Sequence, residues 1–127
     1  MVKALFDTNI LIDYLNAVPE AREELNRYTE RAISIVTWME VMVGAEGRLE
    51  APTRGFLNGF ETIGLDARIA EKAVSLRRER RIKLPDAVIW ASAQVNGMIL
   101  VTRNTKDFPA GDPGVRAPYA IPPQELT

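Results

Sequence analysis

The sequence predicts an α/β fold of three layers, α/β/α, with helices covering both faces of a mostly parallel central sheet and residues 1–127 forming one domain. Three observations predict it. Short apolar runs at 2–6, 33–36, 62–65 and 98–102 have the length and side-chain character of buried strands. The stretches between them carry apolar residues three and four positions apart, the period of a helix. Strand and helix therefore alternate, and that order builds parallel sheets with helices on both faces.

The elements follow in turn. Val2–Phe6 reads as a strand ending at Asp7, and Ile10–Leu15 as a first helix interrupted by Asp13. Pro19-Glu20 opens a helix to about Arg31, since proline suits the first turn and Ala21, Leu25, Tyr28 and Ala32 fall on one face. After the strand at 33–36, Thr37 and Glu40 make the S/T-x-x-E spacing of a capping box, which predicts a helix starting at Thr37. A helix is expected over 52–60, a strand over 62–65, and then a long helix capped by Asp66, with Ile69, Ala73 and Leu76 on its apolar stripe. Leu84-Pro85-Asp86 opens the clearest helix, and Asn96-Gly97 stops it. The strand at 98–102 leads into a loop over 103–114, and a last edge strand is expected at 117–121.

Composition narrows the chemistry sharply. The chain has no cysteine and no histidine, which excludes disulfides, thiolate nucleophiles, imidazole bases and the usual zinc ligand sets. A bound metal would have to be held by oxygen, which favours magnesium or manganese. No apolar run is long enough for a membrane span, and a cytoplasmic protein is the expectation. The formal net charge is −1, yet Arg77, Arg78, Arg80, Arg81 and Lys83 crowd together. That cluster suits either a solvated helix end or a phosphate-binding patch.

Acids provide the candidate site. Asp7 ends the first strand, Glu40 follows the second, Asp86 opens the last strong helix and Asp107 lies in the loop after the apolar strand. In parallel sheets ligands sit beyond the carboxyl ends of the strands, and all four segments can open onto that edge. Taken singly, each acid has a local reading as a cap, a capping-box partner, a first-turn charge or a turn former. Taken together, crowded carboxylates repel unless a cation neutralises them, so the set has the character of a ligand field for a hard divalent ion. Asp13 and Asp66 are expected to be surface or capping acids.

These segments carry a family resemblance. Phe6-Asp7-Thr8-Asn9 with Ile10-Leu11-Ile12 behind it, Glu40 in Thr37-Trp38-Met39-Glu40, Pro85-Asp86-Ala87 before Ala91-Ser92-Ala93, and Leu100-Val101-Thr102-Arg103-Asn104-Thr105-Lys106-Asp107-Phe108 together resemble a PIN-domain ribonuclease. Within that group the chain is similar to the VapC-type toxins of toxin–antitoxin pairs. The resemblance implies a divalent-metal-dependent endoribonuclease with Asp7, Glu40, Asp86 and Asp107 as its catalytic and metal-binding acids, served by Mg2+ or Mn2+. It implies Thr8, Thr102 and Asn104 as supporting polar residues. The chain would also have an RNA substrate, a small antitoxin partner and a homodimeric state. Flanking phosphates would fall to Arg77, Arg78, Arg80, Arg81, Lys83, Arg103 and Lys106. Trp38, Met39, Met42, Phe56 and Phe60 are candidates for an apolar interface or for ordinary core.

Three other readings compete. An interaction module with a weak or inactive site predicts no divalent-ion binding at the acids. A nuclease acting on structured DNA or RNA is set against the lack of an insertion long enough to arch over a flap. A phosphoacceptor receiver domain would use Asp7, Asp66 and Thr102, but it leaves Glu40 and Asp86 idle and lacks paired acids after the first strand.

Overall fold

A strand in the middle of a covered sheet has no solvent face, and β1 (Ala4–Phe6) is buried at every position. The computed structural model describes residues 2–120. Around β1 lie β2 (Arg31–Ser34), β3 (Glu61–Ile63), β4 (Ile99–Val101) and β5 (Val115–Arg116). Their spatial order is β3-β2-β1-β4-β5, and every neighbouring pair is parallel. The helices are α1 (Thr8–Leu15), α2 (Pro19–Asn26), α3 (Ile35–Val43), α4 (Glu50–Leu57), α5 (Ala67–Arg80) and α6 (Leu84–Val95). The expected α/β class and parallel sheet are therefore present.

The pleat sorts the core into two halves, because successive side chains on a strand point to opposite faces. Leu5, Ala32 and Leu100 pack with Ile69, Ala73 and Leu76 of α5 and with Ala87 to Ala91 of α6. On the other face, Ala4, Phe6, Ile33 and Val101 pack with Ile10 and Leu11 of α1, Leu25 of α2, Val41 of α3 and Leu57 of α4. These are the three layers. The fully buried Trp90 and Phe108 meet edge-on at 5.7 Å in the first half, which fixes the chain just beyond Asp107.

Several boundaries differ from expectation for identifiable reasons. β2 covers Arg31–Ser34 and not 33–36, because the Ser34 hydroxyl accepts from Val36 N–H at 3.0 Å and starts α3 there. Thr37, expected as the cap, is inside the helix and fully buried. The helix expected from 52 starts at Glu50, after a 3-10 turn at Gly47–Leu49, and Pro52 sits in its first turn. The last strand is Val115–Arg116, paired with Leu100 and Val101, while 117–120 is not strand and residue 121 lies outside the described residues. Asp66 caps α5 as expected, accepting from Ile69 N–H at 2.9 Å. Asn96 closes α6, and Gly97 takes φ +65°. Arg81 ends α5 in the left-handed region at φ 57°, where glycine is the usual occupant.

Among the described residues no helix is long and apolar enough to cross a membrane. Of the five candidate interface residues, Trp38, Met42 and Phe56 pack against the core and Phe60 is buried, whereas Met39 is exposed on α3 together with Val43.

Candidate active site

Strand order reverses between β1 and β4: β2 and β3 lie to one side of β1, while β4 and β5 lie to the other. A crevice forms at such a point, beyond the carboxyl ends of the two strands. Asp7 immediately follows β1, and Thr102 immediately follows β4. They meet there, the Thr102 hydroxyl donating to Asp7 Oδ2 at 2.7 Å.

Both threonines act as relays, because a hydroxyl has one proton to give and lone pairs to receive. Having donated to Asp7, Thr102 Oγ1 accepts from Asn104 N–H at 3.0 Å and from the Asn9 amide at 3.3 Å. Asn9 also donates to Asp7 Oδ2 at 3.0 Å, and Thr8 N–H donates to Oδ1 at 2.8 Å. Thr8 Oγ1 donates to Glu40 Oε1 at 2.6 Å, so its 3.0 Å contact with Thr37 Oγ1 is one in which Thr37 donates. Glu40 is thus not the capping-box partner expected; the Thr37 side chain reaches across to α1. The Asn104 amide donates to Asp107 Oδ2 at 3.0 Å, and Asp107 N–H donates back to Asn104 Oδ1 at 3.3 Å.

The cleft so built is an open depression of about 400 Å³, lined by Asp7, Thr8, Asn9, Ile12, Glu40, Asp86, Arg103 and Asn104. Asp7, Glu40 and Asp86 share it. Asp107 stands behind Asn104, and its charge acts on Asp86. Asp7 is 4% exposed, and burial, opposed by its hydrogen bonds but reinforced by the charges of Asp86 and Glu40, pushes its carboxyl up to about 6. Burial, with the charges of Asp107 and Glu40, raises Asp86 as well, while Lys83 pulls it down.

Could this donor set hold a metal? Every candidate ligand is oxygen, and the carboxylate repulsion that adds to burial in raising Asp7 and Asp86 is the field a hard cation relieves. Among the described residues, however, no three acids are close enough to enclose one ion. The site therefore fits a magnesium-like ion that takes one or two carboxylates and keeps several waters, and does not fit a closed all-protein cage.

The basic residues are dispersed. Arg77 donates to the Ile82 carbonyl at 2.7 Å, Arg80 lies over the Trp90 ring at 4.8 Å, and Arg81 forms the end of α5. Arg78 is exposed on α5, and Lys106 is exposed in the loop after β4. Lys83 and Arg103 stand at the acidic cleft.

Two residues depart from or escape the sequence reading. Asp13, expected as a surface or capping acid, is 4% exposed and receives Arg103 in a bidentate pair, Nε to Oδ2 at 2.6 Å and Nη2 to Oδ1 at 3.0 Å. Asn9 was legible only as a neighbour of Asp7; nothing local signals its bond to Thr102.

A parallel five-stranded sheet with acids at its switch point defines a class, and the chain belongs to the PIN-domain family, whose sequence model matches residues 4–111. Within that family its kin are VapC proteins. It is 33% identical to the tRNA(fMet)-specific endonuclease VapC of Shigella flexneri, over 85% of this chain and 91% of that one. A toxin–antitoxin complex from Klebsiella pneumoniae contains a chain 52% identical, covering 94% of this chain and 100% of that one with a TM-score of 0.89. DNA-bound VapBC from Salmonella typhimurium matches at 27% identity and a TM-score of 0.73, over 91% and 96% of the two chains.

Proposed function

We propose that this chain is the toxin of a toxin–antitoxin pair and acts as a divalent-metal-dependent endoribonuclease, hydrolysing phosphodiester bonds at the cleft of Asp7, Glu40 and Asp86 with Asp107 beside it. The observation that carries this reading is the meeting of Asp7 and Thr102 at the β1/β4 switch point, with Glu40 and Asp86 lining the same cleft. Kinship to the VapC endonuclease supports RNA as the substrate, and the complexes from Klebsiella and Salmonella support an antitoxin partner.

Bound at these oxygens, Mg2+ or Mn2+ would supply a water of lowered pKa and positive charge against the phosphate. The protein's own part is positioning. Thr102, Asn9 and Thr8 N–H hold both oxygens of Asp7 in place, and Asn104 holds Asp107. Thr8, backed by Thr37, aims the exposed Glu40 carboxylate at the cleft, where it can take a proton through water. Lys83, whose charge acts on Asp86, and the exposed Lys106 would meet phosphates flanking the acids, contacts that position a polyanion without reading its bases. The homodimer is proposed on the exposed apolar side chains Met39 and Val43 of α3.

The test is cleavage of total cellular RNA by antitoxin-free protein, with magnesium or manganese and with chelator, alongside Asp7→Asn. Discrete metal-dependent ends, absent with the variant, are the expected result. Full metal-dependent cleavage by a folded Asp7→Asn protein would overturn the site assignment.

A further inference from the structure

Arg103 occupies an unusual position for a cation in this molecule. It lines the acidic cleft, yet its guanidinium is not spent on the acids of the cleft. Instead Nε and Nη2 grip Asp13, a carboxylate on α1 that is 4% exposed, and Tyr119 O–H donates to the same Asp13 Oδ2 at 2.8 Å. The backbone is held too, since Arg103 N–H donates to Asn9 Oδ1 at 3.4 Å. One edge of the guanidinium is thereby fixed. The third nitrogen, Nη1, carries no hydrogen bond to any described residue, and the side chain keeps 29% of its surface exposed.

A planar guanidinium pinned along one edge by a carboxylate presents its remaining N–H groups in a fixed direction, the arrangement that recognises phosphate oxygens. Pinning also removes most of the rotamer entropy that a free arginine would lose on binding. Surface ion pairs hold such geometry loosely; here one partner is buried and hydrogen-bonded from two sides.

We propose that Arg103 binds a substrate phosphate adjacent to the acidic cleft, and that Asp13 and Tyr119 are positioning residues that orient it. This rests on the nuclease reading for the identity of the substrate as RNA. Asp13 has no contact with the cleft of its own; it acts through the guanidinium and through the loop that carries Thr102 and Asn104.

The sign of one variant separates positioning from bulk charge. Asp13→Asn makes the protein more positive by one charge near the RNA path, so simple Coulomb attraction predicts tighter binding of RNA. The positioning role predicts weaker binding. The probe is a fluorescein-labelled pool of random single-stranded RNA, titrated by anisotropy in chelator over a range of salt, with wild-type cleavage of cellular RNA measured in parallel. Arg103→Ala is expected to weaken binding about tenfold, the loss of one charge-assisted contact, and to reduce the slope of log K against log salt by about 0.7, one phosphate on a single strand. Arg103→Lys is expected to keep that slope while losing affinity, because it retains the charge but not the fork. Tyr119→Phe is expected to show a smaller loss of the same kind. Near-ultraviolet circular dichroism checks that each variant is folded, and the lysine variant carries the test if Asp13→Asn is not.

Unchanged affinity and slope in Arg103→Ala, with a wild type that binds and cleaves, would overturn the role of Arg103 and leave the nuclease standing. Tighter binding by folded Asp13→Asn would overturn the positioning role. A wild type that binds but does not cleave, with the losses above in the variants, would support Arg103 and sink the nuclease. A wild type that neither binds nor cleaves RNA would sink both, and one that cleaves with metal yet binds no RNA in chelator would overturn the role of Arg103 alone.

Discussion

Replacing Asp7 by Asn is expected to stabilise the metal-free fold at neutral pH while removing the proposed cleavage. The Asp7 carboxyl has an ordinary value of 3.8 and is pushed to about 6 in the fold, chiefly by burial. That gap corresponds to about 3 kcal/mol between the two protonation states. Because the folded value is raised, the native state favours the protonated acid. Its stabilising contribution is full below 3.8 and is lost as pH rises through about 6, so at pH 8 the wild type carries the whole penalty. Asparagine does not titrate and escapes it. Against this stands one misdirected amide, because both oxygens of Asp7 accept hydrogen bonds from Thr8, Asn9 and Thr102, and an NH2 group cannot. That mismatch costs about 1 kcal/mol. The net gain is about 2 kcal/mol at pH 8. At pH 4.5 the electrostatic part falls to about 1 kcal/mol by the same linkage, and the gain vanishes. Urea denaturation in chelator at the two pH values measures this directly. An Asp7→Asn midpoint equal to or below that of the wild type at pH 8, or a gain that persists unchanged at pH 4.5, would refute the reasoning.

Three further outcomes are expected from denaturation. Glu24 is 3% exposed; burial raises its carboxyl, but hydrogen bonds from Arg116 and Tyr28 outweigh burial and hold it below its usual value. Its contribution is therefore present at neutral pH and lost as pH falls below about 4.5. Glu24→Gln should cost about 2 kcal/mol at pH 7, less than a fully buried pair because Arg116 keeps a third of its side chain in water, and progressively less in acid. Phe108→Ala empties a fully buried site against Trp90 and should cost about 3–5 kcal/mol, lowering the urea midpoint sharply at any pH. Asp66→Ala removes the Ile69 N–H cap of α5 and should cost about 1 kcal/mol, with cleavage unaffected because Asp66 lies outside the cleft.

Much of the fold was legible because its signals are local. Asp66 caps the helix it was expected to cap, Asn96-Gly97 stops α6, and apolar runs alternating with helical periods foretold a parallel sheet. Where local signals compete, sequence reading chose wrongly. Thr37 and Glu40 satisfy a capping box on paper, yet Ser34 starts the helix and Thr37 turns to Thr8. The pattern of the last strand was misplaced because Ala117 to Ile121 is apolar, while pairing with β4 is made two residues earlier. Asp13 is neither the surface nor the capping acid that the sequence suggests, because the cation it pairs with is 90 residues away.

By itself the sequence determined the kinds of element and their order, and hence an α/β sheet with acids on segments that can open onto one edge; its lack of histidine and cysteine left oxygen as the donor for any metal. Capping, helical period and residue chemistry act within a few positions, so one chain suffices to read them. Only the tertiary structure decided that Thr102 would hold Asp7 across 95 positions and Thr8 would hold Glu40 across 32, and that Arg103 would be held by Asp13 at the cleft wall. Those choices depend on which distant groups packing brings within hydrogen-bond reach, and on how far burial strips each charge of water, and neither quantity is written in any short stretch of sequence.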